Sequence, residues 1–297
     1  MVPVVLFTYN RPRHLKRVLE ALGKNNIELL YIFSDGAKDS SEKNKVDEVR
    51  HIINSINWIE PRISKSEQHS GVAKSIIGGI SEVLSLHNSV IVLEDDCLPH
   101  TGFYDYMCQC LRQYEKEEKV FCVSAYLPSV KCGIFRNYPY DVFFWGRFWS
   151  WGWGTWQRAW EKFNPDFMDL IQQIEARDID TSVFGEGVSL HNLKRMSGYD
   201  TWATPFFLNM VLNKTLSVHP VRSYISNIGF DGSGVHCENT KKYNVHISKK
   251  AAGVPLRFTN RIEENSDIVG RIVDFINYQP RVNLLKLLQR RIIRKLK

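Results

Sequence analysis

A mixed α/β domain built on a mostly parallel sheet flanked by helices is what this sequence predicts, and two observations predict it. Through the first 126 residues, short β-branched runs alternate with stretches whose apolar residues recur every three to four positions, the pattern of strands joined by helical crossovers. The run Ser89-Val90-Ile91-Val92-Leu93 then sets four consecutive apolar residues, three of them β-branched, directly before Glu94-Asp95-Asp96. Such a run reads as a buried parallel strand that delivers three carboxylates to its carboxyl end, where ligands of open α/β sheets sit. With 297 residues, 43% of them hydrophobic, the chain suffices for one large domain or for one domain with a smaller appendage.

Taken in order, Val2 to Thr8 is the first strand, and Tyr9-Asn10-Arg11-Pro12 turns it into a helix striped by Leu15, Val18, Leu19 and Leu22. Leu29 to Phe33 is the next strand and closes on Ser34-Asp35-Gly36. A polar helix with Val46, Val49, Ile52, Ile53 and Ile56 follows, then a helix over Gly71 to Leu86 that leads into the acidic strand. Phe103 to Tyr114 reads as helix and Val120 to Tyr126 as strand. There the alternation stops. Six of the chain's eight tryptophans fall between Asp141 and Trp160, separated by Gly146, Gly152 and Gly154, which argues against a continuous helix. Short helices over Phe167 to Ile174 and Pro205 to Leu212, a strand near Leu216 to Val218, and a glycine-rich loop from Ser226 to His236 complete the body.

Composition excludes several classes. The net charge of +7 is concentrated in residues 284–297, which hold six basic residues and no acid, so the remaining body is nearly neutral and offers no domain-wide face for nucleic acid. The six cysteines include no Cys-x-x-Cys pair and are too sparse for a disulfide scaffold, which fits a reducing cytosol. A strand-like run begins at Val2 without a charged lead, so no signal peptide is expected, and no apolar run reaches bilayer length. No P-loop, Gly-x-Gly-x-x-Gly or Gly-x-Ser-x-Gly motif occurs.

Arg11, Asp35 and Glu94-Asp95-Asp96 each follow a parallel strand, so they are expected on one rim. Three like charges at a half-buried strand end are costly unless a cation joins them. Asp35 and Asp95 suit hydrogen bonds from a base or ribose, Arg11 suits phosphate oxygens, and Asp96 suits a divalent cation that also grips a diphosphate. Plain alternatives stand beside each: a solvated acidic turn, a surface arginine, and an aspartate that serves only its Ser-Asp-Gly turn.

The order of motifs carries a resemblance. Thr8-Tyr9-Asn10-Arg11-Pro12, Ser34-Asp35-Gly36, Ser70-Gly71-Val72-Ala73-Lys74 at a helix start, and Val92-Leu93-Glu94-Asp95-Asp96 resemble the GT-A fold glycosyltransferases. Within that fold the chain is most similar to the N-acetylglucosaminyltransferase I family and its bacterial relatives, from Val2 to about His236. The resemblance implies that Arg11 contacts the diphosphate, Asp35 the uracil and Asp95 the ribose, with Glu94 in the same nucleotide-sugar site. It implies a Mn2+ or Mg2+ ion on Asp96, and it sets Lys74 near a basic position on the following helix. The family's general base lies in an acidic pair followed by tryptophan. Here Tyr199-Asp200-Thr201-Trp202 departs from that pattern, with Thr201 beside the tryptophan and Asp200 the only acid. Asp200 is therefore the candidate base, against the alternative that it caps the following helix, and Asp231 is the reserve. His236 matches the late histidine that completes the metal site in many GT-A enzymes, against the alternative of a structural histidine.

The expectation is an inverting, metal-dependent transfer of a sugar from a UDP-sugar to a glycan acceptor, in bacterial surface polysaccharide synthesis. Residues 1–283 form the transferase domain, with a nucleotide-binding half (1–126) and an acceptor-binding half (127–283). The tryptophans divide between core and acceptor groove. In residues 284–297, Leu284, Leu285, Leu288, Ile292 and Leu296 alternate with cations, a basic amphipathic tail suited to an anionic membrane surface or to packing on the body. That tail would place a cytoplasmic protein on the inner face of the membrane, next to a lipid-linked acceptor. A sugar-phosphate nucleotidyltransferase and a noncatalytic glycan-binding module are the rival readings.

Overall fold

The computed structural model describes residues 1–130, 133–232, 240 and 243–277. In chain order the elements are β1 (Val4–Thr8), α1 (Pro12–Leu22), β2 (Leu30–Ser34), α2 (Ser40–Asn54), β3 (Arg62–Lys65), α3 (Val72–Leu84), β4 (Ser89–Glu94), β5 (Cys97–Pro99) and α4 (Phe103–Gln113). They continue with β6 (Val120–Ser124), β7 (Val142–Trp145), β8 (Trp153–Trp156), α5 (Gln157–Trp160), α6 (Phe167–Ala176), a 3-10 turn (Thr181–Phe184) and α7 (Leu190–Met196). Last come α8 (Ala203–Leu212), β9 (Leu216–Pro220), β10 (Ile225–Asn227) and α9 (Ser266–Asn277).

The main sheet has eight strands in the order β3-β2-β1-β4-β8-β6-β9-β7. Only β8 and β7 run against the others, so the sheet is largely parallel, as expected. Strand alternation divides its two faces. Val4, Leu6, Leu30, Ile32, Ile91 and Leu93 face one core with α1, α2 and α4. Val5, Phe7, Tyr31, Val90 and Val92 face the other with α3, α6 and α8. β1, β2, β4 and β6 are buried on both faces and therefore read as continuous apolar runs.

No continuous helix runs through the tryptophan stretch, as expected: it forms β7, β8 and the short α5, and β8 inserts between β4 and β6. Gly154 makes this possible, since a Cβ there would lie 2.7 Å from the Val90 carbonyl oxygen. Trp145, Trp153, Trp156 and Trp160 are buried, while Trp149 and Trp151 are half-buried. A separate two-stranded ribbon joins β5 to β10, pairing Cys97 with Asn227. That ribbon carries the chain after β10 back over the end of β4.

Candidate active site

Register fixes the rim. Thr8 pairs with Ser34 and Phe7 with Glu94, so the chain leaves β1, β2 and β4 at one edge of the sheet. Pro12 opens α1, and Arg11 precedes it without capping the helix, which leaves its guanidinium free to reach β4. Nη1 of Arg11 lies 2.6 Å from Oδ2 of Asp96, with the two side chains only 15% and 17% exposed. Nη2 of Arg11 donates a longer bond, 3.5 Å, to the Gly229 carbonyl. Arg11 and Asp96 thus meet on the rim, as the sequence required, and meet each other directly.

Among the described residues the other two carboxylates of the triplet have no such partner. Asp95 accepts a bond from the Tyr9 amide at 3.1 Å. Burial, then Asp96, pushes Asp95 up to about 7, with the Tyr9 amide and Arg11 pulling the other way. Burial, then Asp96 and Asp95, pushes Glu94 up to about 8. One guanidinium does not offset three adjacent carboxylates, and buried acids perturbed in this way are a mark of functional sites.

Gly229 closes over the pair. Ile228 donates its amide to the Asp96 carbonyl at 2.9 Å, and Asn227 Oδ1 accepts the Gly229 amide at 2.7 Å. A Cβ at position 229 would lie 2.2 Å from Asp96 Oδ2 and 2.7 Å from Arg11 Nη1, so any larger residue would force the pair or the loop apart. Two residues on, Asp231 lies 3.1 Å from Nε2 of His14, on the first turn of α1. The reserve base therefore sits on the same loop as the glycine that covers Asp96. His236 lies outside the described residues.

Asp35 is buried and its carboxylate is heavily engaged. Oδ1 accepts from Gly36 and Ser70 at 2.9 Å, Oδ2 from Ser70 and Gly71 at 3.2 Å, and His69 Nδ1 approaches Oδ2 at 2.8 Å. The residue fastens the segment before α3 to the end of β2. The Tyr9 and His69 rings lie 5.0 Å apart above it, and the Tyr9 hydroxyl bonds Glu42.

Asp200 is exposed and caps a helix, though not the following one. Its Oδ2 accepts from the Val72 amide at 2.6 Å and its Oδ1 from the Ala73 amide at 3.0 Å, which ties the segment before α8 to the start of α3. Trp202 precedes α8 with no side-chain cap. Lys74 is exposed on the first turn of α3. Asp35 and Asp200 therefore meet at the start of α3, one from each side.

An aromatic path leads away from the covered pair. Phe230, next to Gly229, stands 5.2 Å from Trp151 and 4.4 Å from Tyr243. Trp151 in turn stands 4.6 Å from Tyr126 and 5.4 Å from Trp149.

A divalent cation fits this corner on chemical grounds. The donors are carboxylate oxygens, the ligand type of Mg2+ and Mn2+, and burial together with the neighbouring carboxylates makes the charged forms of Glu94 and Asp95 costly, a cost that a bound cation would relieve. Among the described residues no three His, Cys, Asp or Glu side chains converge on one point. Asp96 would therefore be the protein ligand, with phosphate and water oxygens supplying the rest.

Sequence reasoning did not single out Tyr9, Glu42, His69, His14 or Gly229. Tyr9 lay within a quoted motif, and His69 stands directly before Ser70-Gly71, but nothing in the sequence told which strand end either would face. No family model matches the chain, and no curated protein matches it. Among solved structures it is similar to the mannosyltransferase PcManGT from Pyrobaculum calidifontis in complex with GDP-Man and Mn2+, with 14% identity and a TM-score of 0.36 over 75% of this chain and 58% of that one. It is also similar to S. aureus TarS, with 12% identity and a TM-score of 0.37 over 78% of this chain and 37% of that one. The chain thus spans less than two thirds of either protein.

Proposed function

We propose that this chain is a GT-A-type glycosyltransferase that moves a sugar from a UDP-sugar to a glycan acceptor with inversion, in bacterial surface polysaccharide synthesis. The observation that carries the reading is the meeting of Arg11 and Asp96 at the end of β4, on a rim shared with Asp35 and Asp95. A guanidinium beside a carboxylate triplet offers one group for a diphosphate and one for its counter-cation. Arg11 would hold the diphosphate and Asp95 the ribose. Asp35 would act on the uracil side mainly through the Ser70–Gly71 segment and His69 that it anchors. Lys74, exposed at the start of α3, would face the donor's negative charge.

A Mn2+ or Mg2+ ion on Asp96 would neutralise charge on the departing diphosphate. The protein's own residues orient the acceptor and take its proton. The acceptor oxygen attacks the anomeric carbon, the bond from that carbon to the diphosphate breaks, and the hydroxyl proton passes to a carboxylate. Asp200 is assigned that role. Both of its carboxylate oxygens are engaged by amide donors, so Asp231, two residues after Gly229, is kept as the competing assignment. Trp149 and Trp151, half-buried along the aromatic path, would stack on acceptor sugars.

The test is UDP release on mixing UDP-sugars with metal and glycan acceptors. Acceptor-dependent UDP release supports the reading. Release of pyrophosphate from a nucleoside triphosphate and a sugar phosphate would replace it with a nucleotidyltransferase, and glycan binding without turnover would leave a binding module.

A further inference from the structure

At the far edge of the main sheet, beyond β9 and β7, a cleft of about 820 Å3 opens among the segments after β6, before β7, after β9 and around residues 246–257. That is the size range of ligand sites. Its charge is one-sided. Arg136, Arg222, Lys249, Lys250 and Arg257 line it, against the single carboxylate of Asp141. Asp141 accepts Lys250 Nζ at 2.7 Å and, more loosely, Arg257 Nε at 3.4 Å, so two of the cations are paired with it. Arg136, Arg222 and Lys249 have no acidic partner among the described residues and lie exposed at the mouth.

The cleft is also aromatic, and backbone hydrogen bonds join its segments. The Asp141 amide donates to the Arg257 carbonyl and the Asp141 carbonyl accepts from the Val221 amide, while the Ser223 amide donates to the His246 carbonyl and the Ser223 carbonyl accepts from the Ser248 amide. Tyr138 and Tyr140 lie 5.5 Å apart on its lip, and Tyr138 is fixed by a bond to the Val142 carbonyl. Pro128 lines both this cleft and a smaller one of about 240 Å3 bounded by Trp149 and Tyr243. From there the contacts of Trp149 with Trp151, and of Trp151 with Phe230, run back to Gly229 and Asp96.

We infer that this cleft binds an anionic glycan, a sugar chain bearing phosphate or carboxylate groups, and that the acceptor of the transfer proposed above, on which this inference rests, is therefore acidic. Cations at the mouth would pair with its charges while the tyrosines lie against its rings. A concave, tyrosine-lined wall suits a sugar chain better than a flat bilayer. The near-neutral body gives nucleic acid no continuing basic track.

The test is titration calorimetry of the full chain with four probes: hexagalacturonate, a phosphodiester-linked hexose-phosphate hexamer, neutral maltohexaose, and a six-nucleotide single-stranded DNA. At least one acidic oligosaccharide should bind ~10-fold or more tightly than maltohexaose, and weaken as salt rises; which one binds tells phosphate from carboxylate. The combined variant Arg136→Glu, Arg222→Glu and Lys249→Glu should lose that preference while its thermal unfolding is unchanged, and the milder triple glutamine variant should lose part of it. Equal binding of maltohexaose by the wild-type chain would overturn the inference. So would an unchanged preference in a folded variant, or tighter binding of the DNA. UDP release from a UDP-sugar is assayed separately. Its absence removes the transferase reading and leaves the cleft's ligand as measured.

Discussion

The Arg11 guanidinium and the Asp96 carboxylate, 85 residues apart in sequence, are 2.6 Å apart in space, and Gly229 leaves no room for a side chain above them. The arginine therefore meets the charge of Asp96 that a divalent cation would otherwise meet. Donor binding would exchange these partners: phosphate for the arginine, metal for the aspartate.

That exchange predicts a paired response. Asp96→Ala and EDTA should abolish transfer to similar extents. Arg11→Ala should retain its response to added metal but lose donor affinity by ~10–100-fold, the range of a charge-assisted hydrogen bond. Initial rates against donor concentration, with and without metal, check both. Full activity of a folded Asp96→Ala protein in EDTA would sink the metal assignment.

Asp200 separates two roles by substitution. Asp200→Asn keeps an acceptor for one of the two α3 amides but cannot take the acceptor's proton, so turnover should fall by ~10²–10⁴ with donor binding little changed. Asp200→Ala should in addition lower stability by ~0.5–2 kcal/mol, the value of a helix cap. If Asp231→Asn shows the turnover loss and Asp200→Asn does not, Asp231 is the base and Asp200 only holds α3 to the segment before α8.

How much of this was legible in the sequence follows from what each residue's neighbours are. The elements from β1 to α2, and α3, β4, α4 and β6, announce themselves because each apolar stripe or run is local. β3 does not, since Arg62-Ile63-Ser64-Lys65 is exposed throughout and carries no alternation. β5 and β10 are three residues each and exist through their mutual pairing. β7 and β8 hide because tryptophans and glycines give no strand period, although close strand approach is what Gly154 provides. In the site, strand ends foretold a shared rim for Arg11, Asp35 and Asp96. That Arg11 would pair with Asp96, and that Asp200 would cap a helix 128 residues earlier, depends on long-range packing that no local pattern encodes.

His219 supplies a pH signature apart from catalysis. It is fully buried on β9, with Nε2 at 2.6 Å from Ser217 Oγ and 2.8 Å from the Arg147 carbonyl. Burial pushes its imidazole down to about 4, against the pull of the Arg147 and Tyr126 carbonyls. An unfolded histidine titrates near ~6.5, so between those values the unfolded chain binds a proton that the native chain does not. Stability from this residue is complete above that upper value and is lost as pH falls toward the lower one, by at most ~3 kcal/mol. Thermal unfolding from pH 4.5 to 8 should show a steeper acid-side decline for the wild type than for His219→Gln. Parallel curves would refute it.

The C-terminal tail lies outside the described residues, and its prediction rests on charge and apolar spacing. Residues 284–297 bring six cations between Leu284, Leu285, Leu288, Ile292 and Leu296, and each cation near an anionic bilayer contributes ~1 kcal/mol. The preceding helix α9 belongs to the body: Ile268, Ile272 and Ile276 are buried with Leu127, Val130, Phe143 and Trp145. No described helix is long and apolar enough to cross a membrane, so surface attraction is the mode to test. The full chain should sediment with anionic liposomes at low salt and release as screening rises. A chain ending at Val282 keeps α9 and should stay in solution while still turning over a UDP-sugar with a soluble acceptor. Equal sedimentation of both, or loss of folding in the shorter chain, would assign the tail to the body of the protein instead of to a membrane.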